Sequence, residues 1–247
     1  MTSIAGYTLA AAPCCRKIYS IPRYRSMNFS ASEYWTDGYA DGRLMPGGYG
    51  LRKCVCGAFY LASELLELVD ADESKIDFTS HAQPEDLPQA IATARHAEVE
   101  LAARLEYWHE LNHAYRQSYR AHRDAEEAAT QAAWELANPD SRSFWQKLRK
   151  EPAPAYTRPP NSPFTYPPFE PSPVQKANMR ALLQLLESLD KRESYLQEII
   201  ELHRELGEFD EAAKALDEYE EKDRNRVSKL LSDLVQGRER APVRYRL

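Results

Sequence analysis

The sequence predicts a mainly α-helical protein with a small β module at its N-terminus, and three observations carry that expectation. All four cysteines lie early in the 247-residue chain, as an adjacent pair Cys14-Cys15 and a close pair Cys54-Val55-Cys56. Seven of the nine glycines fall at or before Gly57, so the turns are concentrated where the cysteines are. From Gly57 to Gly207 no glycine interrupts a chain rich in alanine, glutamate, arginine and leucine, which are good helix formers.

Taken in order, Lys17 to Ile21 reads as a strand, Asp37-Gly38, Asp41-Gly42 and Gly47-Gly48 as turns, and Gly50 to Lys53 and Ala58 to Leu61 as strands flanking the second cysteine pair. Leu61 to Val69 has the apolar spacing of a short amphipathic helix, and Asp70 to Gln83 reads as a linker. Asp86 to Ala137 reads as helix. Unbroken it would span ~75 Å, so a globular domain folds it into two antiparallel helices with the break near Asn112-His113. Asn138-Pro139-Asp140 stops this region, and Ser143 to Lys150 can form one more short helix.

Nine prolines between Pro152 and Pro173 alternate with Tyr156, Phe164, Tyr166 and Phe169. This is either a polyproline ligand for an aromatic groove or a strap packed on the protein's own helices, and so many aromatics favour the strap. Ser172-Pro173-Val174-Gln175 is a helix start with a capping box and proline at the first position. A long helix then runs to Leu206-Gly207, and Phe209 to Val235 returns as its partner. The resulting organisation is a β module with a short helix over 1–70, a helical hairpin region over 71–151, a strap over 152–173, a C-terminal hairpin over 174–237 and a basic tail over 238–247 containing Arg238, Arg240, Arg244 and Arg246.

Composition narrows the functional classes. No apolar run approaches the ~20 residues of a membrane span, and Ile4 to Ala12 has no basic segment before it. A cytoplasmic protein with reduced thiols is therefore expected, two disulfides in an exported protein being the alternative. The net charge of −6 disfavours general binding to nucleic acid and favours a basic partner.

Two short cysteine pairs joined by the fold form the ligand pattern of a metal knuckle. Cys14, Cys15, Cys54 and Cys56 are the candidate ligands, and zinc is the candidate ion because soft thiolates suit it. A closed four-thiolate site would be structural, whereas free buried cysteines are the plain alternative. Cys54-Val55-Cys56-Gly57 followed by Ala58-Phe59-Tyr60-Leu61 resembles a zinc-ribbon or rubredoxin-like knuckle, although Ala12-Pro13-Cys14-Cys15 departs from the family's C-x-x-C pair by placing alanine at the first ligand position. Gly6-Tyr7-Thr8-Leu9, Ser26-Met27-Asn28-Phe29, Tyr34-Trp35-Thr36-Asp37-Gly38 and Ser162-Pro163-Phe164-Thr165-Tyr166-Pro167-Pro168 extend the likeness. The chain thereby resembles uncharacterised bacterial proteins that join such a knuckle to a helical body. The resemblance implies that architecture and a bacterial origin, and no catalytic residues.

Three further patterns point to function. Leu206-Gly207-Glu208-Phe209-Asp210-Glu211-Ala212 resembles the inter-helix turn of a tetratricopeptide repeat, in one copy only. A helical hairpin there would display Glu205, Glu208, Asp210, Glu211, Asp217, Glu218, Glu220 and Glu221 to a basic protein such as a toxin or an assembly component. Non-catalytic protein recognition, as an inhibitor, immunity protein or adaptor, is the expected function. The rival is a zinc metallopeptidase. His109-Glu110-Leu111-Asn112-His113 matches the motif in which two histidines bind zinc and Glu110 activates water, with Glu126, Glu127 or Glu135 as possible third ligands. Arg116, Tyr119, Arg120 and Arg123 form a helical stripe suited to a single-stranded nucleic acid, with nearby acids favouring a salt-bridged face instead. Trp108, Trp134, Phe144 and Trp145 are expected between helices.

Overall fold

The protein is described from a computed structural model over residues 3–26, 31–42, 50–71, 77–140, 142–149, 152, 155–157, 165–222 and 225–245. It is mostly helical with short antiparallel sheets, and its chain falls into two compact units, 1–112 with 170–247 and 113–169. The Gly47-Gly48 turn, Met27-Asn28-Phe29, Phe164 and Arg246 lie outside the described residues.

In the larger unit the strands are β1 (Ser3–Ala11), β2 (Ile18–Ser26), β3 (Glu33–Trp35), β4 (Ala40–Asp41), β5 (Leu51–Lys53), β6 (Phe59–Leu61), β7 (Leu66–Ala71) and β8 (Ser80–His81). They form three small sheets, β2-β1-β7, β6-β5-β8 and, with a last strand β9 (Arg244–Tyr245), β4-β3-β9. The Leu61 to Val69 stretch is not a helix. Leu61 N–H donates to Glu64 Oε2 at 2.6 Å and closes a single 3-10 turn over Ala62–Glu64, after which the chain pairs with β1 in the register Leu9↔Val69. The open edge of β1 outweighs helical spacing because it satisfies a row of backbone groups at once.

The helices of this unit are α1 (Leu87–Ala92), α2 (Ala97–Leu111), α5 (Pro173–Glu187), α6 (Leu196–Leu206), α7 (Phe209–Lys222) and α8 (Arg226–Gln236), with α3 (His113–Ala137) and α4 (Phe144–Leu148) belonging to the smaller unit. The Asp86 to Ala137 helix does pause at Asn112, and it has a further break between Thr93 and His96. Ser172 Oγ accepts from Gln175 N–H at 3.2 Å while Gln175 Oε1 accepts from Ser172 N–H at 2.8 Å, the expected capping box. The C-terminal pair of long helices is instead four segments. Leu189 turns back to pack on the core after α5, and Asn225 Oδ1 accepts from Val227 and Ser228 N–H groups, so this side chain starts α8 where helix propensity alone would continue α7. Between α6 and α7, Gly207 sits at φ +83° and closes the turn over buried Phe209 and Ala212.

Leu105, Trp108, Met179, Leu182, Leu186, Ile199, Ile200, Leu216 and Leu231 form the main core between these helices. A second cluster of Leu51, Phe59, Leu87, Val99 and Ala103 fastens the β5–β6 hairpin to α1 and α2, and a third of Ala12, Tyr19, Cys54 and Tyr60 lies under the cysteines. The basic end does not run as a solvated tail. Ala241 and Val243 are buried, Arg244 ion-pairs with Glu33 at 2.7 Å, and Tyr245 pairs with Tyr34 in β9.

In the smaller unit the Pro-rich strap packs on α3, with Tyr156 against Trp134, Tyr166 stacked on Tyr119, and Phe169 edge-on to Tyr115. Phe144 and Trp145 are 72% and 66% exposed, not enclosed between helices, because the five residues of α4 are too few to close over them.

Candidate metal centre

Two hairpin tips meet at the cysteines. In the β1–β2 tip, Ala12 N–H donates to the Lys17 carbonyl at 2.8 Å, and Arg16 takes up φ 61° to turn the chain between them. In the β5–β6 tip, Cys54 N–H donates to the Ala58 carbonyl at 2.8 Å and Gly57 N–H to the Cys54 carbonyl at 2.9 Å, with Gly57 at φ +87°. That left-handed value explains the glycine after the second pair. Within each tip a backbone amide two residues on donates to a sulfur, Lys17 N–H to Cys15 and Cys56 N–H to Cys54.

The tips place Cys14, Cys15, Cys54 and Cys56 with all four Sγ atoms within 4.8 Å of one another. Cys15 and Cys54 approach to 3.4 Å, Cys14 and Cys56 to 3.5 Å. Four thiolates at ordinary zinc–sulfur distances stand about 3.8 Å apart around a tetrahedral ion, so the quartet has the dimensions and the donor chemistry of such a site. Cys54 is buried, Cys14 half-buried, and Cys15 and Cys56 exposed. Burial pushes the Cys54 thiol up, but bonds from Cys56 N–H, the Tyr19 hydroxyl, Cys14 and Cys15 outweigh it and bring its pKa down to about 6. Cys14 goes the other way, to about 12, through burial and its bonds to Cys54 and Cys56. Cys54 therefore carries charge readily while Cys14 holds its proton, which a cation would displace. Tyr19, absent from the sequence-derived site, lies beneath, with its hydroxyl 3.5 Å from Cys54 Sγ and 3.3 Å from Val55 N. The only sequence signal for it is its place in a strand next to the first pair.

The other candidates are placed as follows. His109 Nε2 donates to the Asp37 carbonyl at 2.9 Å with its ring against Tyr39, whereas His113 Nε2 lies 2.7 Å from Gln117 Nε2. Glu110 is exposed, as are Glu127 and Glu135, and Glu126 accepts from Thr165 at 2.6 Å. Among the described residues the cysteine quartet is the only group of three or more cysteine, histidine or acidic side chains whose donor atoms converge. Arg116 and Tyr119 are buried, so the helical stripe does not stand open as a platform for bases.

Of the acidic residues, Asp210, Glu211, Asp217, Glu218 and Glu221 are exposed on α7. Glu211 pairs with Lys214 and Glu218 with Arg192, while Glu208 is half-buried beside His203 at 2.9 Å. Glu205 is not displayed. It is fully buried, accepting from Trp108 Nε1 at 3.0 Å and Asn112 Nδ2 at 3.1 Å, because the inward face of α6 carries a polar network among its leucines and isoleucines. Asn112 Nδ2 also donates to Asp37 at 3.1 Å, and Arg204 ion-pairs with Glu201 and donates to the carbonyls of Glu239 and Ala241. Helical periodicity places Glu201, Arg204 and Glu205 on one face with apolar residues, a sign of burial that charge alone conceals.

Compared with protein-family models, curated proteins and solved structures, the chain matches none. No helix of the described residues is long and apolar enough to cross a membrane.

Proposed function

We propose that the chain is a non-catalytic protein-recognition module whose two N-terminal hairpins are stapled by a structural zinc ion and whose α7 offers an acidic face to a basic protein. The convergence of four sulfurs from two hairpin tips carries the metal half of this reading. A closed set of four protein ligands leaves no open position for substrate, so the ion would contribute folding energy and not chemistry. Asp210, Glu211, Asp217 and Glu218 repeat at seven-residue intervals, giving a two-turn acidic strip that supports the recognition half. An inhibitor or immunity protein for a basic toxin, in the bacterial setting the resemblance implies, and an adaptor both fit this charge.

Metal content per chain, measured after purification without chelator, tests the first half. One zinc is expected, lost in Cys54→Ser/Cys56→Ser and kept in His109→Ala/His113→Ala. Loss with the histidines instead would return the peptidase. Capture of a basic partner that fails with Asp210→Lys/Asp217→Lys at unchanged fold tests the second half, and binding indifferent to this reversal removes α7 as the interface.

A further inference from the structure

We propose that the cysteine quartet is also a hydroperoxide-responsive centre that converts into two disulfides across the hairpin tips, Cys15–Cys54 and Cys14–Cys56, and releases its metal as it does so. The inference rests on the metal reading above for the release and on sulfur geometry for the pairing.

Two sulfur pairs that each join one tip to the other stand in direct contact, at 3.4 Å and 3.5 Å. Each pair also combines a sulfur that a small oxidant can reach with one that it reaches less easily, exposed Cys15 with buried Cys54 and exposed Cys56 with half-buried Cys14. That division suits a peroxidatic and a resolving thiol. Pairing within a tip is unfavourable. Adjacent Cα atoms are about 3.8 Å apart across a trans peptide, inside the shortest span of an ordinary disulfide of about 4.4 Å, so Cys14–Cys15 would strain the turn. With Cys14 and Cys15 unable to pair, a Cys54–Cys56 bond would leave two thiols unmatched.

In each pair the exposed thiolate attacks a peroxide oxygen, the O–O bond breaks, and a sulfenic acid forms with loss of hydroxide. The facing thiolate then attacks that sulfur, the S–O bond breaks, and hydroxide leaves and is protonated to water as the S–S bond forms. For the loaded centre, a four-thiolate zinc complex, two hydroperoxide molecules and four protons yield two disulfides, one zinc ion and four waters when the oxidant is hydrogen peroxide. Sulfur is oxidised and peroxide reduced. Both crosslinks join the same two tips that the ion joins, so the staple persists while the ion leaves, and a dithiol reverses the change.

The test adds hydrogen peroxide to the full-length, metal-assayed protein while following released zinc with a chromogenic chelator, free thiols by titration, and linkages by tandem mass spectrometry under non-reducing conditions. Two peroxide molecules consumed per zinc released, loss of all four thiols, linkages Cys15–Cys54 and Cys14–Cys56, and recovery of zinc binding after dithiothreitol are expected. Cys15→Ser should retain the Cys14–Cys56 linkage and form no other. Linkages within a tip, the opposite cross pairing, intermolecular disulfides, or sulfinic and sulfonic acids in place of disulfides would overturn the proposal. A chain that neither carries nor takes up zinc overturns the metal reading and the release, and its peptide map then decides the pairing alone.

Discussion

Tyr19 shows how a single side chain conditions the cysteine quartet from outside it. Its hydroxyl receives the Val55 amide and meets Cys54 Sγ, so it fixes the position of one sulfur and supplies a dipole to its charge. Tyr19→Phe is expected to keep one zinc per chain but weaken its binding by roughly tenfold, read by chelator competition. Zinc affinity should also fall as pH is lowered, since each ligand must lose a proton. A second residue, Arg204, is fully buried and holds Glu201 and two carbonyls of the C-terminal segment. Arg204→Met leaves Glu201 uncompensated and should cost about 3–5 kcal/mol in urea unfolding. The cysteines were legible as a cluster because their spacing is their chemistry, and Gly57 marked the turn. Tyr19 and Arg204 were not, because a tyrosine in a strand and an arginine in an amphipathic helix are ordinary in sequence and acquire their roles only from residues far along the chain.

Elements with local signals were the ones sequence reading found. The strands beside Cys54 and the start at Ser172 each follow from turn or cap chemistry within a few residues, whereas the break near Asn112 is expected from helix length alone. β1 and β7 escaped it, since their identity lies in pairing Leu9 with Val69, and so did the division of α7 from α8. There the deciding group is Asn225, whose side chain accepts from two amides of α8. Asn225→Ala should therefore destabilise the protein by about 1 kcal/mol, measured by thermal or urea denaturation, with little effect on zinc content. The strap aromatics sit on α3, so Tyr166→Ala is expected to expose Tyr119 and speed proteolysis between α4 and α5.

At the scale of the larger unit, the buried network of Asp37, Asn112, Glu201, Arg204 and Glu205 ties the Thr36–Gly38 turn, α2, α6 and the C-terminal segment together. Burial, with Asp37 and Glu201 nearby, holds the Glu205 carboxyl well above the usual carboxylate range, against the smaller pull of Trp108 and Arg204. The folded protein thus keeps a proton there that the unfolded chain releases. Glu205 contributes most below the ordinary carboxylate pKa, and its contribution declines as pH rises from there through the raised value. Glu205→Gln should flatten this decline and leave the variant more stable than the parent at alkaline pH, as read from unfolding midpoints across a pH series. A midpoint profile unchanged by the substitution would remove Glu205 as the titrating group.

The same network sets a schedule for synthesis. Val243 N–H donates to Thr36 Oγ1 at 2.9 Å and Tyr245 pairs with Tyr34, so the burial of Arg204 goes together with the meeting of segments far apart in the chain. While a ribosome still holds residues 239–245, the helices of the larger unit lack the carbonyls that receive this guanidinium, and final drying of the interior waits for translation to pass them. The N-terminal hairpins carry their own backbone pairing and emerge long before that moment, so their four sulfurs can meet while the rest of the molecule is still being made.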